Sequence, residues 1–267
     1  MSSTTSTTSS KSSTNTTSQG RKKNTAELRF ATRCLHEAVG AALIVTGGAA
    51  GGAAGGAALL SPIASAAVGA CAVATAVATF ASTSGAHFNP SITMALVLNR
   101  EFNPKEAPLY MLSQLLGAFA ANTAVLALAA VTPAAAILVP LPPPAALPAV
   151  EFALTAFLAF SCFSIGDLAR ARVIRAEVVP LCVGLTIFGI NVCFGHLGVV
   201  MNPAIAAAPR FVAALLGKQG LLALKGVGSY VLASILGGML GANLFKRMVG
   251  NQAYDKACSW ICAEGPQ

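Results

Sequence analysis

Two Asn-Pro dipeptides, Asn89-Pro90 and Asn202-Pro203, stand 113 residues apart, and two acids within apolar runs, Glu37 and Glu151, stand 114 apart. Asn is a favoured helix cap and Pro a favoured first helical residue, so each dipeptide reads as the start of a helix. A carboxamide placed there can donate N–H bonds to a polar molecule, beside a helix end that presents about half a positive charge. A carboxylate in an apolar run needs hydrogen-bond donors, so Glu37 and Glu151 are expected to face protein and accept backbone N–H groups from loops. This is the chemistry of hydrogen-bond donation and cation repulsion. Acid/base catalysis by paired carboxylates is the competing reading, and no nucleophile, metal-ligand cluster or phosphate loop accompanies it. The stretch GGAAGGAAGG lacks the lysine and the strand-to-helix setting of a phosphate loop. Seven cysteines occur without CxxC or Cys/His spacing. Cys71, Cys162, Cys182 and Cys193 fall inside apolar runs as buried, inert thiols, and Cys34, Cys258 and Cys262 lie near the ends. No metal, no cofactor and no enzymatic activity are expected.

The elements that carry these residues must lie in lipid. Of 267 residues 55% are hydrophobic and 10% charged, against about 25% charged in a soluble domain. Six runs reach the roughly 20 residues a helix needs to cross a bilayer core: 31–54, 61–83, 108–131, 149–168, 178–197 and 227–247. The chain is thus expected to be an integral multi-pass membrane protein with lipid as a partner. The abundance of Gly and Ala points to helices that approach closely. The formal charge of +8 does not indicate nucleic acid, because the basic residues flank apolar runs instead of interleaving with aromatics. Six spans put both termini on one side, and 14 Lys and Arg fall on that side against Arg210, Lys218 and Lys225 on the other. The positive-inside rule then makes both termini cytoplasmic. Which membrane, plasma or internal, is left open.

Residues 1–30, rich in Ser and Thr, read as a disordered cytoplasmic tail, 31–250 as the membrane domain and 251–267 as a second tail. The Gly-Ala stretch at 47–58 reads as a flexible turn ending the first span. The proline-rich connection between spans three and four reads as an extended loop on the opposite side. Two apolar stretches, 91–99 and 204–216, are too short to cross, and each follows an Asn-Pro. Gly117 and Gly237, 120 apart, add to the echo of the Asn-Pro and Glu pairs. One unit therefore occurs twice, about 31–131 and 149–247. With three spans per unit the second copy is inverted in the membrane. Matching short, Pro-interrupted segments in such halves point to a site at the midplane, and non-helical backbone at that depth is tolerated where it lines a watery cavity. The fold expected is all-α, six transmembrane helices and two re-entrant half-helices around a pore.

SGAHFNPSIT at 84–93 and MNPA at 201–204 resemble the two signatures of the aquaporins, or major intrinsic proteins, with Ser91 in place of the usual Ala. HEAVG at 36–40, QLLGA at 114–118, Glu151 with Thr155, and PLCVGL at 180–185 resemble further family segments. The resemblance covers about 31–247. It implies a homotetramer whose subunits each hold a channel for water or small uncharged solutes, lined by carbonyls of the segments before each Asn-Pro. Asn89, Pro90, Ser91, Asn202, Pro203 and Ala204 form the paired motifs. Their amides donate to a passing water and turn it so that it cannot relay a proton, while the two helix dipoles repel cations. Helix caps alone are the plainer reading of the same residues. His87 is expected to orient the first loop and Ser91 Oγ to bond locally.

The resemblance also implies a four-position filter, and here the chain departs from the family. Ile205 stands where an Arg is usual, and Val199 is its neighbour. The fifth-helix position is Asn191 or Ile190, and the second-helix position Gly69 or Val68. The mouth is expected to be apolar and fairly wide, suited to glycerol, urea, ammonia, peroxide or metalloid acids as well as water. Ala206 replaces the Asp that usually follows the Arg in glycerol-conducting members. Arg210 is expected to snorkel to the outer interface. A poorly conducting protein of the same fold with a structural or membrane-organising role is the alternative.

Overall fold

The computed structural model describes residues 11–56, 61–131, 148–216, 222 and 224–249. Among these residues eight α-helices follow in order: α1 (Lys11–Gly56), α2 (Pro62–Ser84), α3 (Pro90–Leu98), α4 (Ala107–Val131), α5 (Pro148–Arg170), α6 (Val179–Phe194), α7 (Pro203–Leu215) and α8 (Val227–Met248). Six are long and apolar enough to cross a membrane, α6 together with the short helical turns at its two ends. The other two, of 9 and 13 residues, are the short helices that follow the Asn-Pro pairs.

Local chemistry accounts for the boundaries. Ser61 caps α2 by accepting the Ala64 N–H at 3.2 Å, and Gly85 ends it at φ 88°, a conformation glycine adopts without the Cβ penalty. Asn89 and Asn202 sit in extended backbone and cap α3 and α7, each followed by Pro at the first helical position.

Packing exposes the repeat. α1 lies against α2 and α4, and α5 against α6 and α8, with α2 meeting α6 between the halves. The short helices are exchanged: α3 rests mainly on α8, and α7 mainly on α4. The long helices touch backbone to backbone. A Cβ on Gly117 would collide with the carbonyl of Ala38, one on Gly237 with that of Phe152, and one on Gly241 with that of Ala156. Ala38 and Phe152 directly follow Glu37 and Glu151, so the close crossing of α1 with α4 and of α5 with α8 also sets the height of the two acids.

Two expectations are corrected. The Gly-Ala stretch is helical through Gly56. In an apolar setting a helix satisfies every backbone N–H and C=O, which a turn would leave open, and Gly47 and Gly51 are the places where α1 abuts Ala72 and Ser65 of α2. The helix also begins at Lys11, within the segment expected to be unstructured. Extending a helix that already exists costs no new nucleus, so low-propensity Ser and Thr can be added to the end of a stable span. Residues 1–10, the loop at 132–147, Lys218 and the tail at 251–267 with Cys258 and Cys262 lie outside the described residues.

Gly117→Ala and Gly241→Ala should each cost about 1–3 kcal/mol by overpacking. Thermal unfolding in detergent should show both variants melting below the wild type.

Candidate functional site

The two segments that lead into α3 and α7 leave the helical conformation and need partners for their backbone. Phe88 (φ 49°) and Met201 (φ 56°), each just before its Asn, lie in the left-handed region that L residues seldom occupy. Their conformation is held from both sides. In the first segment, Glu37 Oε1 accepts from Ser84 Oγ at 2.7 Å and His87 N at 3.0 Å, and its Oε2 accepts from Phe88 N and Gln114 Nε2, both at 2.7 Å. In the second, Glu151 Oε1 accepts from Met201 N and Ser234 Oγ, both at 2.6 Å, and Oε2 from Val200 N at 3.1 Å. Both acids are fully buried, and donors surround them on every oxygen.

The freed carbonyls point across the molecule. Asn89 Nδ2 donates to the Met201 carbonyl at 2.8 Å, and Asn202 Nδ2 to the Phe88 carbonyl at 2.9 Å. Meanwhile Asn89 Oδ1 accepts the Ser91 N–H at 2.8 Å, and Asn202 Oδ1 the Ala204 N–H at 3.1 Å. The N-termini of α3 and α7 therefore meet, each asparagine tied to its own helix and to the opposite loop. A primary amide carries two N–H groups, so one on each asparagine is left beyond these bonds. Both asparagines line a cavity of about 1010 Å³ that runs past the meeting point. The site thus presents two directed donors and two positive helix ends to a molecule in the cavity.

Sequence reasoning placed the acids, asparagines and prolines here but assigned no role to several supports. Tyr110 donates to the Ser84 carbonyl at 2.9 Å and Tyr230 to the Gly198 carbonyl at 2.8 Å. Gln114 and Ser234, and likewise Tyr110 and Tyr230, are 120 residues apart, the spacing of Gly117 and Gly237. That shared spacing is the signal that would have found them. His87 lines the cavity, its backbone N–H held by Glu37 and its Nδ1 3.2 Å from Thr93 Oγ1. Phe102 and Tyr110 flank its ring.

Of the residues expected to form a filter, Gly69, Asn191, Val199 and Ile205 line the cavity, whereas Val68 and Ile190 do not. Val68 faces Gly51 of α1, and Ile190 is buried with Leu154, Leu158 and Met201. Ala206, in the place of the missing Asp, is buried away from the cavity wall. Two readings change. Arg210 does not snorkel: it is 4% exposed, donates to the Lys225 carbonyl at 3.3 Å, and lies 5.8 Å from the centre of the Tyr230 ring. A carbonyl and an aromatic face in the protein interior take the place of interfacial water. Ser91 Oγ is buried and has no hydrogen-bond partner among the described residues, because its side chain is pressed towards Gly238 of α8, where a Cβ would come within 3.0 Å. Among the described residues no cluster of three or more His, Cys, Asp or Glu stands ready for a metal.

Six spans, two short helices meeting end to end and a cavity lined by their asparagines define a membrane channel. Residues 24–245 match the family model for MIP, major intrinsic protein, and the chain belongs to that family. It is 33% identical over 199 residues to the glycerol uptake facilitator protein of Haemophilus influenzae, covering 64% of this chain and 75% of that protein. It is 31% identical over 175 residues to aquaporin NIP1-2 of Oryza sativa subsp. japonica, covering 60% of this chain and 52% of that protein. The X-ray structure of the aquaglyceroporin from Plasmodium falciparum shares the fold, with a TM-score of 0.72 at 20% identity over 86% of this chain and 99% of that one. The protein is accordingly a channel, not an enzyme.

Glu151→Gln sets an N–H against backbone donors and should cost about 1–3 kcal/mol or more, read as a lower melting temperature together with reduced flux in vesicles. Ser91→Ala removes an unsatisfied buried hydroxyl and should be neutral or raise stability by up to about 1 kcal/mol. A clear loss of stability would show that the hydroxyl has a partner.

Proposed function

We propose that this channel passes small uncharged solutes of glycerol size as well as water, through a pore in each subunit of a homotetramer. The observation that carries this reading is the composition of one cavity wall. Two directed amide donors stand on it, and Gly69, Val199 and Ile205 line it as well, together with the amides of Asn122 and Asn191. A solute with hydroxyls and a hydrocarbon face finds donors at the asparagines and an apolar surface beside Ile205. Cations find no counter-charge at the two positive helix ends and are repelled there.

The name of the Haemophilus influenzae relative supports glycerol as the first solute to test. Selectivity here would rest on width and apolarity, since Ile205 and Ala206 stand where an Arg-Asp pair is usual. Large exposed apolar side chains, such as Leu116, Leu181 and Leu232, suit contact with lipid and with sister subunits. The distribution of Lys and Arg supports both termini in the cytoplasm.

In proteoliposomes the wild type should admit glycerol, and Ile205→Arg should lower glycerol permeability about tenfold, the effect of roughly 1.4 kcal/mol at the barrier, with a smaller change for water. Equal glycerol permeability in the two proteins would remove Ile205 from the filter.

A further inference from the structure

The cavity has a second end, and its wall there includes Phe163 and Gly166 of α5, Arg170 at the end of that helix, and Glu101, which follows α3. The positions around Gly166 explain how a long basic side chain reaches the wall. A Cβ placed on Gly166 would stand 3.6 Å from Arg170 Nη1, so the guanidinium folds back along its own helix and lies over the space the glycine leaves. It is held there by two acids. Arg170 Nε donates to Asp167 Oδ1 at 3.1 Å, and Nη2 bonds the same oxygen. Arg170 Nη1 reaches Glu101 Oε2 at 3.5 Å. The other oxygen of Glu101 is taken by Lys246 Nζ of α8 at 2.6 Å, with Asp167 at 4.0 Å from the same ammonium.

Two acids and two bases sum to zero, so this cluster does not build a strong field at the mouth. Its effect is geometric. Glu101 bridges Lys246 and Arg170, and this ties the segment after α3 to the ends of α5 and α8. The arm itself is half exposed, at 54%, and exposed ion pairs are weak and screened by salt. The arm is therefore held at the mouth by contacts that thermal motion can release.

We propose that Arg170 is a specificity-determining arm at this mouth of the pore, tethered by Glu101 and Asp167, which narrows the passage for solutes larger than water. The inference rests on the channel reading above. It places a size threshold at the end of the pore opposite Ile205.

The experiment is stopped-flow measurement of glycerol and water permeability in proteoliposomes holding the full-length wild type, Arg170→Ala or Glu101→Gln, at low and at high salt equal on both sides. Arg170→Ala should raise glycerol permeability about two- to fivefold, the range by which an exposed ion pair biases an equilibrium. Water should change less, so the glycerol-to-water ratio moves. Glu101→Gln should move the ratio the same way by loosening the arm while keeping the Arg170 side chain, and wild-type glycerol flux should rise with salt whereas Arg170→Ala should not respond. A wild type that conducts glycerol alongside variants with the same ratio and the same salt response overturns the arm and leaves the channel intact. If Arg170→Ala does not fold, the ratio in Glu101→Gln and the salt response of the wild type decide the matter. Glycerol flux in no protein at any salt concentration would overturn the glycerol reading and the arm with it.

Discussion

Two carboxylates in an apolar interior hold everything else in place. An ionised side chain there is costly unless donors surround it, and the donors that surround Glu37 and Glu151 are the backbone N–H groups of segments that are not helical. The cost of burying the charge and the cost of leaving those N–H groups open offset one another. Once that exchange is made, Phe88 and Met201 are held in left-handed backbone, their carbonyls face across the molecule, and each asparagine finds the opposite loop as a partner. Remove a carboxylate and the loss is shared by the loop, the facing asparagine and the helix that the asparagine caps.

The reciprocal asparagine bonds give the centre its rigidity. Each amide spends its oxygen on its own helix and one N–H on the other repeat, so its orientation is determined from two directions. A donor that cannot rotate discriminates by geometry, because only a molecule presenting an acceptor at the right place is bound. The helix ends add positive potential at the same place without adding any side chain that could itself carry a proton.

Much of this was legible in the residues. The spacing of Asn89 and Asn202, of Glu37 and Glu151, and of Gly117 and Gly237 was enough to read an inverted repeat with short helices meeting at its middle, and apart from α1, which begins at Lys11, the long helices lie within a few residues of the apolar runs. What escaped did so for physical reasons. The Gly-Ala stretch reads as a turn on local propensity, yet burial against α2 favours the helix. Arg210 reads as an interfacial cation, since a sequence does not tell which face of α7 meets α8, where Tyr230 and the Lys225 carbonyl take the guanidinium. The choice between Gly69 and Val68, or Asn191 and Ile190, depends on helix rotation by one residue, which tertiary contact decides. Gln114, Ser234 and the two tyrosines were visible as a spacing but had no assigned chemistry until the carboxylates and carbonyls were located.

The exchange of the short helices bears on the order in which the molecule can be completed. The helix that Asn89 caps belongs to the first half of the chain, yet its main seat is α8, the last of the described spans to be made. The helix that carries Asn202 finds its seat on α4 already synthesised. The two halves therefore mature at different times although they end in the same geometry. The earlier loop must wait, held by Glu37 and by Tyr110 of α4, until the final helix enters the bilayer, and a chain cut short before residue 227 would leave the centre unfinished in the half that was complete in sequence.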